Sequence, residues 1–131
     1  KFRKMITEAE KYLGYPYVWG GSSPSTSFDC SGFVYWCINK AGISQGYMTS
    51  YMWRSCTRYQ RNNNINNVKR GDVIVYYGHV AICSGKWTMI DASQSNGRIV
   101  EARSIPTIGT ATSSAHSAYS DNIGKAVEQK I

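Results

Sequence analysis

Apolar residues recur at steps of three and four through the first part of the chain and at shorter intervals through its second half. Phe2, Met5, Ile6, Ala9 and Leu13 fall on one stripe of a helix, which Gly14 and Pro16 are placed to stop. A Gly/Ser/Pro/Thr stretch at 20–27 reads as loop. The helical period returns at 30–41. Asp29 is a good N-cap there, Phe33, Val34, Cys37, Ile38 and Ala41 make the apolar stripe, and Gly42 ends it. Residues 48–60 predict a third, weaker helix, and 61–69 an Asn-rich connector.

Beyond Arg70 the character changes. Short β-branched or apolar runs at 72–77, 80–83, 88–92 and 98–102 are separated by the turn signals Gly78, Ser84-Gly85 and Asn96-Gly97. Helices first and strands second predict an α+β domain, an antiparallel C-terminal sheet with the N-terminal helices packed on one side. The Ser/Thr/Ala-rich stretch 104–120 carries no clear pattern, and 118–131 is expected to close with a loose helix.

The 131 residues suit one domain, and 42% hydrophobic with 18% charged residues is an ordinary globular balance. No apolar run is long enough for a membrane span. The basic start, Lys1 to Lys4, is followed by Thr7-Glu8-Ala9-Glu10-Lys11 where a signal peptide needs an apolar core. The chain therefore reads as a domain excised from a larger, modular protein. A net charge of +7 favours polyanionic surroundings. That charge is scattered, with its densest stretches at 54–61 and 69–70, and no nucleic-acid-binding motif accompanies it. A nucleic-acid partner is not expected.

Cys30, Cys37, Cys56 and Cys83 form no C-x-x-C pair, and with two histidines in the chain no metal site or cofactor is predicted. Cys30 and Cys37 lie two helical turns apart, about 10 Å of rise, too far for a disulfide. A disulfide among Cys37, Cys56 and Cys83 stays open, with free buried thiols the expected state. Trp19, Trp36 and Trp53 are expected to line the core or a groove.

One arrangement carries chemistry. Cys30 takes the first helical position after its cap, where the dipole and unpaired N–H groups favour a thiolate and can hold an oxyanion. His79 and Asp91 are twelve apart. A hairpin turning at Ser84-Gly85 sets them directly opposite, with Cβ atoms roughly 5 Å apart. His79 then shares a face with Ala81 and Asp91 with Met89, while Val80, Ile82 and Ile90 line the other. A carboxylate beside an imidazole fixes its tautomer and stabilises its charged form. His116, in a stretch without strand character, is a distant alternative partner.

The successive motifs Tyr15-Pro16-Tyr17-Val18-Trp19-Gly20-Gly21, Phe28-Asp29-Cys30-Ser31-Gly32-Phe33-Val34, Arg70-Gly71-Asp72-Val73 and Gly78-His79-Val80-Ala81-Ile82 resemble those of the NlpC-type cell-wall peptidases. The resemblance runs in order from about Glu8 to Ala92. It implies a papain-like α+β fold, a nucleophile at Cys30, a general base at His79 and hydrolysis of peptidoglycan stem peptides, often between D-glutamate and the diamino acid. It further implies that Tyr17, Asp29 and Ser31 read the substrate, and that the domain is secreted or wall-associated; a monomer is expected. One position departs: a histidine usually follows the Met-Ile pair in that family, and here Asp91 does. Alternative readings are an amidase or acyltransferase using the same residues, or a catalytically silent, cationic wall-binding module.

Overall fold

The computed structural model describes residues 2–56, 58–59, 68–76, 78–85, 88–102 and 115–119. Helix α1 (Phe2–Glu10) buries Met5, Ile6 and Ala9, as the spacing predicts. It ends short of Leu13, because residues 11–14 turn and Gly14 takes a φ of 90°. The Gly14 N–H then donates to the Ile99 carbonyl at 2.9 Å and the Ile99 N–H to the Tyr15 carbonyl at 2.8 Å. Pairing with a strand draws the chain out of the helix, exposing Leu13 and turning Tyr12 inward against Phe28.

The predicted loop at 20–27 contains a minimal ribbon, β1 (Ser22–Ser23) against β2 (Ser27–Phe28). Helix α2 (Cys30–Lys40) follows, capped by Asp29. Its residues Phe33, Val34, Cys37 and Ile38 are fully buried and form the centre of the molecule. Each such side chain is worth about 1.5–3 kcal/mol of burial. Helix α3 (Ser50–Ser55) is shorter than the 48–60 predicted. The Thr49 hydroxyl caps its start by accepting from the Met52 N–H, and Cys56 is already extended, with ψ 132°. Most of the Asn-rich connector, 61–67, lies outside the described residues.

Among the described residues, five further strands follow: β3 (Val73–Tyr76), β4 (His79–Gly85), β5 (Thr88–Ser93), β6 (Arg98–Ala102) and β7 (Ala115–Tyr119). They pair antiparallel in the order β6-β5-β4-β3-β7. The first four follow the predicted runs closely. β7 does not: it lies where no strand was expected, and it corrects the reading of His116 as outside strand structure. Ala- and Ser-rich residues have little strand preference of their own; the ladder to β3, from Val73↔Tyr119 to Tyr76↔Ala115, holds them. Of the expected closing helix, Ala118 and Tyr119 are strand and 120–131 lie outside the described residues.

Alternation divides the sheet as the sequence predicts. Val73, Val75, Val80, Ile82, Ile90, Ala92 and Ile99 pack with α1 and α2 in the main core. Ile74, Tyr76, Ala81, Cys83 and Met89 form a second cluster with Val68. Among the described residues, none of the four cysteines is in a disulfide. Among the described residues, no helix is long and apolar enough to cross a membrane.

Candidate active site

The seat of Cys30 is built by Asp29 and two glycines. Asp29 has extended backbone, with φ −94° and ψ −176°, and both its carboxylate oxygens are engaged. Oδ1 accepts from the Gly32 N–H at 2.7 Å and Oδ2 from the Gly20 N–H at 2.9 Å. The cap thus ties the loop before it to the helix after it, and the Asp29 N–H donates to the Gly21 carbonyl at 3.0 Å. That closeness requires glycine. A Cβ on Gly32 would lie 1.9 Å from the Gly21 carbonyl oxygen, and one on Gly21 would lie 2.3 Å from that of Ser27. Cys30 is the first residue of α2, nearly buried, with the helix's unpaired N–H groups around it.

His79 opens β4. Gly78 before it has a φ of 72°, and the β3–β4 register sets His79 across from Tyr76. Its Nε2 lies 2.7 Å from Asp91 Oδ2. The partner is the one the sequence points to, but the geometry differs from direct opposition. β4 and β5 pair as Ile82↔Ile90 and Cys83↔Met89, with an irregularity between Cys83 and Gly85. Continued, that register puts Asp91 across from Ala81, so His79 and Asp91 are diagonal neighbours on one face. Gly85 stays in β4, paired with Thr88, instead of forming the turn.

With Nε2 turned to Asp91, Nδ1 is the nitrogen left for the sulfur. Cys30 is close enough to act on the imidazole both as a hydrogen-bond partner and as a charge. Burial opposes a charged ring here, but the hydrogen bonds to Asp91 and Cys30 and the charges of both outweigh it, raising the His79 pKa from 6.5 to about 9. The His79 side chain keeps 27% of its surface exposed and that of Asp91 only 6%. Asp91 Oδ1 is buried without a hydrogen-bond partner among the described residues. The imidazole is thus partly open to solvent while the carboxylate that orients it is closed off.

Of the residues expected to read a substrate, Asp29 is fully used in its capping role. Ser31 Oγ donates to Asp29 Oδ1 at 3.3 Å and lies 2.9 Å from the Tyr47 hydroxyl. Since the Ser31 proton is directed at the carboxylate, Tyr47 is the donor to Ser31. Burial raises the Tyr17 phenol, and the charges of Cys30, Asp29 and Tyr47 add to it. Tyr17 is thus near enough to Cys30, Asp29 and Tyr47 to feel their charges.

Tyr47 escapes sequence reasoning, since it lies in a segment without periodicity and meets Ser31 only through the fold. It is 45% exposed and packs edge-on against Tyr35, their ring centroids 5.7 Å apart. The tryptophans divide three ways. Trp53 is core, Trp36 is part-buried with its Nε1–H donating to Glu8, and Trp19 stands 84% exposed, contrary to a core role. His116 lies on β7, separated from β4 by β3, and Asp91 fills the place it was an alternative for. Among the described residues no cluster of His, Cys, Asp or Glu could hold a metal ion.

This arrangement is found in a chain with known relatives. The sequence model of the NlpC/P60 family matches residues 14–121. The chain is 41% identical over 98 residues, 71% of its length, to a probable endopeptidase p60 of Listeria innocua, of which it covers 20%. It is 36% identical over 99 residues, 70% of its length, to a gamma-DL-glutamyl hydrolase of Bacillus subtilis, of which it covers 23%. The chain thus spans about a fifth of the length of these curated relatives. Among solved structures, the peptidoglycan hydrolase RipB of Mycobacterium tuberculosis superposes with a TM-score of 0.71 at 25% identity, over 90% of this chain and 63% of that one.

Proposed function

This chain belongs to the NlpC/P60 family, and from that premise we propose that it is a cysteine endopeptidase hydrolysing peptidoglycan stem peptides at the bond after D-glutamate. The observation that carries the reading is the His79 ring, engaged by the Asp91 carboxylate and by the Cys30 sulfur at a helix start. The similarity to the peptidoglycan hydrolase RipB supports the substrate class, and the name of one relative, a gamma-DL-glutamyl hydrolase, supports a glutamyl bond as the point of cleavage.

In this mechanism the imidazolium of His79 stabilises the Cys30 thiolate, which attacks the scissile carbonyl carbon. The Cys30 N–H at the helix start faces the developing oxyanion. His79 gives its Nδ1 proton to the departing amine, which leaves an acyl-enzyme on Cys30. Neutral His79 then takes a proton from water, whose oxygen attacks the thioester, and the new glutamyl carboxylate departs. Asp91 keeps Nε2 protonated throughout and stabilises the charged ring. Tyr17, Ser31 and Asp29 border the substrate. Such an enzyme acts outside the cytoplasm, secreted or bound to the wall.

The test is product analysis on purified muropeptides of defined sequence. A new D-glutamate carboxyl and a free diamino acid amine are expected, with none formed by Cys30→Ala. Release of an intact stem peptide from sugar would instead assign an amidase. Full turnover by folded Cys30→Ala would refute the mechanism.

A further inference from the structure

Among the described residues, side chains from three elements meet at His79, and the mechanism uses two of them: Cys30 from α2 and Asp91 from β5. The third is Tyr76 from β3. It lies directly across the ladder from His79, a placement that brings Cβ atoms within roughly 5 Å. The two ring centroids are 6.1 Å apart with planes inclined at 36°. Tyr76 is buried while His79 is part-exposed, so the tyrosine covers the inward side of the imidazole. Its hydroxyl reaches Met89 Sδ at 3.8 Å, which fixes the far end of the ring. Burial and then the Asp91 charge push its phenol upward, so the carboxylate also lies close by.

The hydrogen bond from Nε2 to Asp91 does not by itself stop the imidazole from rocking about that bond. Small rotations would swing Nδ1 off the sulfur, and misplacement on the order of 1 Å can cost about a hundredfold in rate. A packed aromatic wall removes that freedom. An aromatic ring within about 6 Å also favours a cation over the neutral form.

We infer that Tyr76 is a positioning residue for the reaction proposed above: its ring holds the His79 imidazole with one nitrogen on Asp91 and the other on Cys30, and favours its charged form. The inference rests on the reading of Cys30 and His79 as reacting partners. The work is assigned to the ring and not to the hydroxyl, which points to Met89.

Two substitutions separate these parts. Tyr76→Phe keeps the ring, and Tyr76→Met fills the space without one. Turnover of a defined muropeptide across pH is expected to stay within about twofold for Tyr76→Phe. For Tyr76→Met, kcat falls on the order of tenfold to a hundredfold with KM little changed, and the alkaline limb moves down by about one pH unit. Unchanged kcat and pH profile in Tyr76→Met would overturn the inference, as would equal losses in both variants. In the unaltered protein, magnetic cross-relaxation between the Tyr76 and His79 ring protons is expected. Its absence would overturn the inference even if Tyr76→Met failed to fold. NMR titration of His79 in both variants needs no turnover. A wild type inert toward muropeptides would sink the proposed function, while a lowered His79 titration confined to Tyr76→Met would still support the positioning.

Discussion

His79 and Asp91 meet diagonally across the β4–β5 ladder, with Nε2 and Oδ2 2.7 Å apart. Diagonal positions are about 7–8 Å apart at the backbone, a gap the long imidazole spans and a short side chain would not. The diagonal leaves one ring nitrogen on the carboxylate and frees the other for the Cys30 sulfur, so one contact sets both the tautomer and the direction of the ring.

Asp91→Asn should keep the shape of that contact and lose its charge. The Asp91 hydrogen bond and charge are among the causes that lift His79 to about 9, so the alkaline limb of kcat/KM should fall from near 9 toward 6.5. The rate near neutrality should drop about tenfold to a hundredfold, against complete loss in Cys30→Ala and His79→Ala. An alkaline limb that stays in place in folded Asp91→Asn would mean that another group sustains the imidazolium.

The same shift makes stability depend on pH. The folded-state value of His79 lies above its ordinary 6.5, so its contribution is complete below about pH 6.5 and is lost as pH rises through about 9. The full effect is at most about 3 kcal/mol. Urea unfolding at pH 6 and pH 10 should show wild type losing more stability over that interval than His79→Gln. Parallel losses would place the alkaline sensitivity elsewhere.

How much of this was legible follows from how local each interaction is. The Asp29 cap and the start of α2 at Cys30 depend on neighbours within three positions and could be read directly. The alternation assigning Val80, Ile82 and Ile90 to the main core and Ala81 and Met89 to the other face needed only strand period. The register needed the turn, and Ser84-Gly85 misled: Gly85 remains in β4 across a ladder irregularity. Tyr47 on Ser31, Tyr76 on His79 and β7 on β3 all depend on tertiary placement, for which local sequence carries no signal.

Gly32 should prove as necessary as Cys30, for a structural reason. A Cβ there meets the Gly21 carbonyl oxygen at 1.9 Å, and backbone cannot step aside as a side-chain tip can. Gly32→Ala should lose several kcal/mol or fail to fold. Gly46→Ala, with nothing within 4 Å of the added carbon, should be close to neutral. Chemical denaturation of the pair checks this. A stable, active Gly32→Ala would show that the loop and helix separate more easily than their packing implies.

Tyr47 offers a test of the substrate side. It donates to Ser31 Oγ, which donates in turn to Asp29, so the Tyr47 oxygen of this half-exposed side chain keeps its capacity to accept. Tyr47→Phe should therefore raise KM for muropeptides about threefold to tenfold with kcat nearly unchanged, the mark of lost ground-state binding. A fall in kcat at constant KM would instead place Tyr47 among the groups that act only in the transition state.

Selective thiol chemistry tests the nucleophile without any substrate. Burial drives the Cys37 thiol well above its ordinary value, and burial is the largest cause lifting Cys83 to about 12, where Gly85 also accepts its proton. Both should be inert to iodoacetamide in the folded protein. Cys56 is part-exposed, whereas Cys30 adjoins His79 at a helix start. At pH 6, where a free thiol is almost wholly protonated, Cys30 should react at least about tenfold faster than Cys56. Peptide mapping after brief alkylation reads the ratio directly. In His79→Ala the preference should vanish, because the charge that sustains the thiolate has gone while the helix start remains. Persistence of the full preference in that variant would assign the activation to the helix end alone and leave His79 only its proton-transfer role.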